Sequence, residues 1–395
     1  MRSIRPRSRR SLLRGTAVLA LAGLTVAAAG CAPSSAPADG TTKSDAAITA
    51  TRVDKDFDLN KLVAAAKEEG SVTVYDSTGD VVEAAAAFTK KYGIKAVGVK
   101  SKVGDTLQKM TREAAADNVT IDATLYEDGP TFVGELLPQK VVYPWLPGDL
   151  VDDIAAKDRT PPQVLQKANV FAYNPKLYPA GCPVHNVWEL TDPKWRGKVV
   201  LQDPLGKPNI IQLFTQLDSQ GDALGKAYRD EYGTKPSGSP AQEWIKKLAA
   251  NAPILTSSDG DSSAAVGAPN QTKRRIGLFS TAKFRDVKDK GYHLRACEGL
   301  QPWSGYLYPK YVGIATHTRH PNAAKLFVHF MYTEAGIGTE MHNGGISANR
   351  TIPVAGGIPG LTDWHRDLFA FDSAHLRSDY RKSSDMQDLW RLNHH

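Results

Sequence analysis

The chain is short of the residues that usually announce chemistry. Its 395 residues hold three cysteines, at Cys31, Cys182 and Cys297, and no Cys-x-x-Cys pair. No Gly-x-Ser-x-Gly and no His-Glu-x-x-His occurs, so neither a hydrolase elbow nor a zinc-protease helix is written in it. No histidine falls between Met1 and Pro183, and His317 and His320 have no thiol partners at metal spacing. Gly221-Asp-Ala-Leu-Gly-Lys226 is one residue short of a phosphate-binding loop and has Ala227 where Ser or Thr is needed. No catalytic residue, resident metal or cofactor is therefore expected. Long apolar runs are missing too: Ala17–Ala29 is about half a membrane span.

That short run is nonetheless informative. Six arginines (Arg2, Arg5, Arg7, Arg9, Arg10 and Arg14) precede it and Ala28-Ala29-Gly30 follows, the layout of a signal peptide. Ser8-Arg9-Arg10-Ser11-Leu12-Leu13-Arg14 resembles a twin-arginine export signal. Ala28-Ala29-Gly30-Cys31 resembles a lipobox, which makes Cys31 the lipidated first residue of a mature chain held on the outer face of the cell membrane. Ala28 stands where Leu is commoner. The formal charge of +7 loses six with the acid-free leader and becomes +1, so nucleic acid is not an expected partner.

Residues 31–50 are Ala, Ser, Pro, Asp, Gly and Thr with almost no large apolar side chain, a tether that cannot bury enough surface to fold. The remaining ~345 residues fit two lobes better than one core. Leu59, Leu62, Val63 and Ala66 share a helical face that Gly70 ends; Ser71–Tyr75 alternates as a strand; Val81, Ala84, Ala85, Phe88 and Tyr92 make a second helix, opened by Asp80 and Glu83 as a capping box and closed by Gly93. A strand at Ile94–Val99, a helix around Leu107, Met110 and Ala114, and a strand at Val119–Tyr126 complete β-α-β-α-β. Such alternation favours a sheet whose ligand crevice lies beyond the strands' carboxyl ends. Ser77 and Thr78, after the first strand, and Glu127, after the third, are the crevice candidates, although helix capping accounts for Ser and Thr at that place equally well.

Three segments then carry a resemblance. Glu69–Tyr75 with Phe88–Lys95, Ala172–Leu177 with Trp188–Val199 and Asp203-Pro204, and Tyr308–Ala315 with His320–Phe327 are similar to the extracellular solute-binding proteins of the ferric-iron and phosphonate type, which serve ATP-driven importers. The resemblance spans roughly Lys61 to Ile352. It implies an α/β fold of two Rossmann-like lobes joined by a two-strand hinge, the type II architecture of periplasmic binding proteins, closing on a solute. Residues 51–170 would form the first part of lobe 1, 171–310 lobe 2, and 311–395 the return to lobe 1 and a C-terminal helical extension docked there. The crossings would be Val170–Tyr173 and Tyr311–Ala315. In lobe 2, strands are expected at Lys198–Leu201, Ile254–Thr256 and Arg275–Phe279, and helices from Asn209 and around Trp244–Leu248.

Ferric members hold iron through adjacent tyrosines, and the matching positions here are Ala282 and Lys283. A lysine repels a cation, so a small organic anion (a phosphonate, phosphate ester or carboxylate) is the expected cargo, with iron the alternative. Asp203, Lys207, Ser257, Ser258, Ser280, Thr281 and Lys283 join Ser77, Thr78 and Glu127 as expected ligand contacts, and Trp303 and Tyr306 as walls. Lys283 also fits the solvated face of a helix, and the two aromatics fit hinge packing. Expected partners are the solute, a cognate ABC permease and the lipid bilayer through Cys31, the protein itself a monomer. From another class, a solute sensor at the cell surface or a secreted hydrolase on a similar fold stays open. Cys182 and Cys297 remain once Cys31 carries lipid, and outside the cytoplasm they are expected to form a disulfide.

Overall fold

The structure, a computed structural model, describes residues 50–354 and 367–394. The leader, Cys31 and most of the tether lie outside the described residues, as do Trp364 and His365. Among the described residues no helix is long and apolar enough to cross a membrane.

The apolar spacings form the elements they predict. After β1 (Arg52–Asp54), α1 (Leu59–Glu69) starts at Asp58, whose carboxylate accepts the Asn60 and Lys61 N–H groups, and stops at Gly70 with φ 77°, a left-handed turn that glycine adopts without strain. β2 (Ser71–Asp76), α2 (Asp80–Tyr92), β3 (Lys95–Lys100), α3 (Val103–Ala115) and β4 (Ala123–Tyr126) follow. β4 is shorter than expected because Glu113 accepts the Thr120 and Ile121 N–H groups, which a longer strand would use. The capping box at the start of α2 is absent: Gly79 is the N-cap with no side-chain bond, and Asp80 accepts from Lys167 and Asn343 instead.

After β5 (Val142–Tyr143) and β6 (Trp145–Pro147), β7 (Gln163–Tyr173) crosses to the second half of the molecule. That half contains β8 (Val199–Gln202), α4 (Pro208–Gln216), α5 (Gly221–Tyr232), α6 (Pro240–Ala250), β9 (Ile254–Thr256), α7 (Asp259–Gly267), β10 (Ile276–Ser280) and β11 (Arg295–Ala296). The near-miss to a phosphate loop is simply the first turns of α5. β12 (Gly305–Ala315) crosses back to α8 (Pro321–Met331), α9 (Glu334–His342) and β13 (Ile346–Ser347).

The main sheet runs β3-β2-β4-β12-β7-β10-β8-β9. β7 and β12 are antiparallel neighbours; the end of β12 pairs with β4 (Tyr311 opposite Tyr126) and the end of β7 with β10 (Tyr173 opposite Ile276). Each long strand thus belongs to both lobes, and the two together form the hinge. The expected crossings, Val170–Tyr173 and Tyr311–Ala315, are only the distal parts of these strands. Gln166, Lys167, Asn169 and Lys310 broke the apolar pattern, yet their side chains are partnered inside the fold. Separate cores sit on either side, one around Phe88, Phe327 and Phe330, the other around Trp188, Phe214 and Trp244.

The C-terminal extension does not dock on lobe 1 alone. β14 (Leu368–Ala370) pairs in parallel with the start of β12, and α10 (Leu376–Asn393) then lies across both lobes. Trp390 stacks on Phe214 and Lys382 pairs with Asp218 in lobe 2. Tyr380 lies over Gly134 and donates to Glu135 (3.2 Å) in lobe 1.

Asp379, at the middle of this contact, accepts from Gln216 Nε2 at 2.5 Å. Burial pushes its carboxyl up to about 6, only partly offset by Gln216 and Thr215. A carboxyl raised above its unfolded value of 3.8 lends stability that is complete below that value and lost as pH rises through about 6. Asp379→Asn keeps the acceptor without the charge. Its melting temperature is expected to gain on the wild type as pH rises from 4 to 6; parallel curves across that window would contradict this.

Candidate functional site

Between the lobes lies a cleft cavity of about 570 Å³, lined by Ser77, Glu127, Asp203, Lys207 and Ser257 of the expected contacts, together with Lys102, Gly104, Asp105, Gln202 and Thr256. These residues come from the carboxyl ends of parallel strands in both lobes, where the hinge brings the two crevices face to face.

One ion pair spans it. Lys207 Nζ of lobe 2 donates to Glu127 Oε1 of lobe 1 at 2.8 Å, with Glu127 almost wholly buried. Burial alone raises the Glu127 carboxyl, but Lys207 and Lys310 outweigh it and hold the group below its ordinary value; the Ser77 hydroxyl donates to Asp76 at 3.3 Å. For Lys207, burial works against the ammonium and Glu127 with Asp259 more than restores it, so its pKa is raised. Both are ionised at neutral pH. The ammonium expected to hold a solute's anion therefore holds one of the protein's own.

Across the cavity, α3 begins at Lys102 without a side-chain cap, and its first residues line the wall. Uncapped N–H groups and the helix dipole favour an anion there. The Lys102 side chain makes no hydrogen bond or ion pair among the described residues; its carbonyl accepts from the Thr106 N–H and the Ser101 hydroxyl.

The other expected contacts have different duties. Thr78 donates to Asp76 (3.0 Å) and accepts from Lys310 (2.9 Å). Ser258 caps α7, and Ser280 accepts the Ala282 N–H at 3.2 Å. Thr281 donates to the Ala168 carbonyl in the hinge (3.4 Å). These are the capping and packing roles that Ser and Thr fill at helix starts. Lys283 does not line the cavity; its charge acts on Asp259, whose carboxyl burial pushes up. Trp303 and Tyr306 are not walls. Trp303 packs among Phe171, Trp244 and Phe369, while Tyr306 stacks on Phe371 at 5.0 Å and accepts from Asn169 at 2.7 Å.

Behind the cleft, the hinge carries a buried charge network that the sequence reading missed. Lys310 Nζ, fully buried, donates to both Asp76 oxygens (2.8 and 2.6 Å), to Thr78 and to Glu340 Oε1 (2.9 Å). Lys167 bridges Asp80 (3.0 Å) and Glu340. Burial pushes Asp76 up to about 6 despite Lys310, whereas for Glu340 the pull of Lys167 and Lys310 exceeds the cost of burial and its carboxyl is lowered. Asp76 and Glu340 share one ammonium, so they titrate as a pair. The available signal was Lys310 itself: a lysine within the apolar run Tyr308–Ala315 needs a buried carboxylate. Tyr308, buried beside it, feels Glu127 and Asp259 and has its phenol pushed well up by burial; its hydroxyl makes no hydrogen bond among the described residues. Those residues include no group of three or more His, Cys, Asp or Glu placed to hold a metal ion. Cys182 and Cys297 meet with sulfurs 2.04 Å apart.

Two lobes on a pair of shared strands, with a polar cleft at the strand ends, define a hinged binding protein. The model of the bacterial extracellular solute-binding protein family matches residues 72–344, and the chain belongs to that family, whose members bind small solutes outside the cytoplasm and work with ATP-driven permeases. The fold is similar to iron-bound HitA from Pseudomonas aeruginosa (17% identity, TM-score 0.64, 82% of this chain and 98% of that one). It is also similar to apo ferric ion-binding protein A from Pasteurella haemolytica (15%, 0.62, 82% and 98%). A third likeness is to AfuA from Actinobacillus pleuropneumoniae with exogenous fructose-6-phosphate bound (21%, 0.61, 82% and 98%). No curated protein matches the sequence.

Proposed function

We propose that the protein captures a small organic anion, such as a phosphate ester, phosphonate or carboxylate, in this cleft and delivers it to an ABC permease, while lipid on Cys31 tethers it to the membrane as a monomer. The observation that carries the reading is the facing pair of anion-seeking elements: Lys102 with the uncapped start of α3 on one wall and Lys207 on the other. On binding, the solute's anionic group takes over Lys207 from Glu127. Glu127 and Gln202 then accept and donate to hydroxyls on the rest of the molecule. The sugar phosphate bound to AfuA belongs to this chemical class. Iron fits less well, because Ala282 and Lys283 occupy the turn after β10 and burial disfavours the tyrosinate form of Tyr308.

Calorimetric titration with sugar phosphates, phosphonates, dicarboxylates, spermidine, thiamine and ferric citrate tests this. An organic anion is expected to saturate the protein, and Lys207→Ala or Lys102→Ala to weaken it at least about tenfold, the effect of losing a charged hydrogen bond. Saturation by spermidine or thiamine alone, or a red tyrosinate band on adding Fe³⁺, would refute the reading.

A further inference from the structure

On the far side of the loop that carries Lys207 lies a second cavity of about 470 Å³. Its walls come from three places: Asp128 and Glu135 of lobe 1, α4 of lobe 2, and Arg381 and Ser384 of α10. Leu205 and Pro208 line both cavities, so the loop Asp203–Pro208 is the partition between them.

The polar groups of this cavity are incompletely used. Gln212, 1% exposed, has no hydrogen-bond partner for either its amide nitrogen or its amide oxygen. A buried carboxamide left unmatched carries an uncompensated desolvation cost, so a buried amide at a cavity wall calls for an occupant that both donates and accepts. The side chains of Arg381 and Ser384 make no hydrogen bond or ion pair among the described residues. The carboxylates opposite keep spare lone pairs: among the described residues the Asp128 carboxylate accepts only from Thr131, and that of Glu135 only from Tyr380. The cavity thus sets an unpaired guanidinium on one wall against two carboxylates on another, with Ile211, Leu205 and Pro208 as an apolar floor.

We propose that this second cavity binds a zwitterionic α-amino acid, its carboxylate on Arg381 and Ser384, its ammonium toward Asp128 and Glu135, and Gln212 satisfied between them. A guanidinium is suited to the planar carboxylate, and the volume lies within the about 300–1,000 Å³ of small-molecule sites. The occupant touches both lobes and α10, and it presses on the loop that presents Lys207. The site stands independently of the cargo assigned to the main cleft.

The test is calorimetric titration of the folded mature protein with each common L-amino acid alone, repeated on Arg381→Ala, Gln212→Leu and Lys207→Ala. At least one amino acid is expected to bind saturably, at least about tenfold more weakly to Arg381→Ala and to Gln212→Leu, and undiminished to Lys207→Ala. The decarboxylated amine and the deaminated acid of the same side chain should both fail. Arg381 is exposed, so that variant folds even if Gln212→Leu does not. Absence of saturable binding by any amino acid overturns the proposal. So does binding that Arg381→Ala retains, or that the single-charge analogues reproduce.

Discussion

Lys310→Met is expected to lose about 3–5 kcal/mol of unfolding free energy at pH 8, the cost of stranding buried charge. The ammonium is fully buried and donates to Asp76, Thr78 and Glu340; methionine fills its space but leaves two buried carboxylates facing one another. The deficit should shrink on acidification. Lys310 restrains the rise that burial imposes on Asp76, so without it the folded pKa climbs further above 3.8, and the stability tied to that raised group is present at low pH and lost as pH increases. Pairing the change with Asp76→Asn should recover much of the loss, since the neutral amide tolerates burial better. Denaturant titrations at pH 5 and pH 8 measure all three. A loss below about 1 kcal/mol for Lys310→Met, typical of a surface pair, would show that the network is not a unit.

The second large effect is expected from Cys182 and Cys297, which close a loop across 115 residues. Constraining so long a loop in the unfolded chain contributes up to about 4.7 kcal/mol in the entropic model. Mature protein whose Cys31 carries lipid, as proposed, should take up no thiol label when unfolded without reductant, and two labels after reduction. A Cys182→Ser, Cys297→Ser double variant should melt well below the oxidised wild type and level with the reduced one. Two labelled thiols before reduction would end the idea.

These two stabilising features differ in how visible they were. The disulfide partners were legible because, of three cysteines, one stands in a segment that resembles a lipobox, and setting it aside leaves a single pairing. The hinge network was hidden. Lys310, Lys167, Asp76 and Glu340 are far apart in sequence, and only the crossing of β7 and β12 beside the turn after β2 and helix α9 places them together. Among the expected contacts, Ser77, Glu127, Asp203, Lys207 and Ser257 line one cavity, because strand ends in such sheets converge by topology. Thr78, Ser258, Ser280 and Thr281 sat at equally promising turns but cap helices or brace the hinge, and Trp303 and Tyr306 fill the core. A turn sequence is the same whether its hydroxyl points at a ligand or at its own backbone. Lys102 was missed because its role depends on an uncapped helix start that faces the cleft.

By itself the sequence determined the alternation of helices and strands, the family, and the cleft's location at the strand ends. Periodicity and turn chemistry act over a few residues and need no partner from afar. Only the tertiary structure decided the length of the hinge strands, the pairing of Lys207 with Glu127, the burial of Lys310 and the path of α10 across both lobes. Each of these depends on burial next to a distant charge, and desolvation has no local signature in the chain.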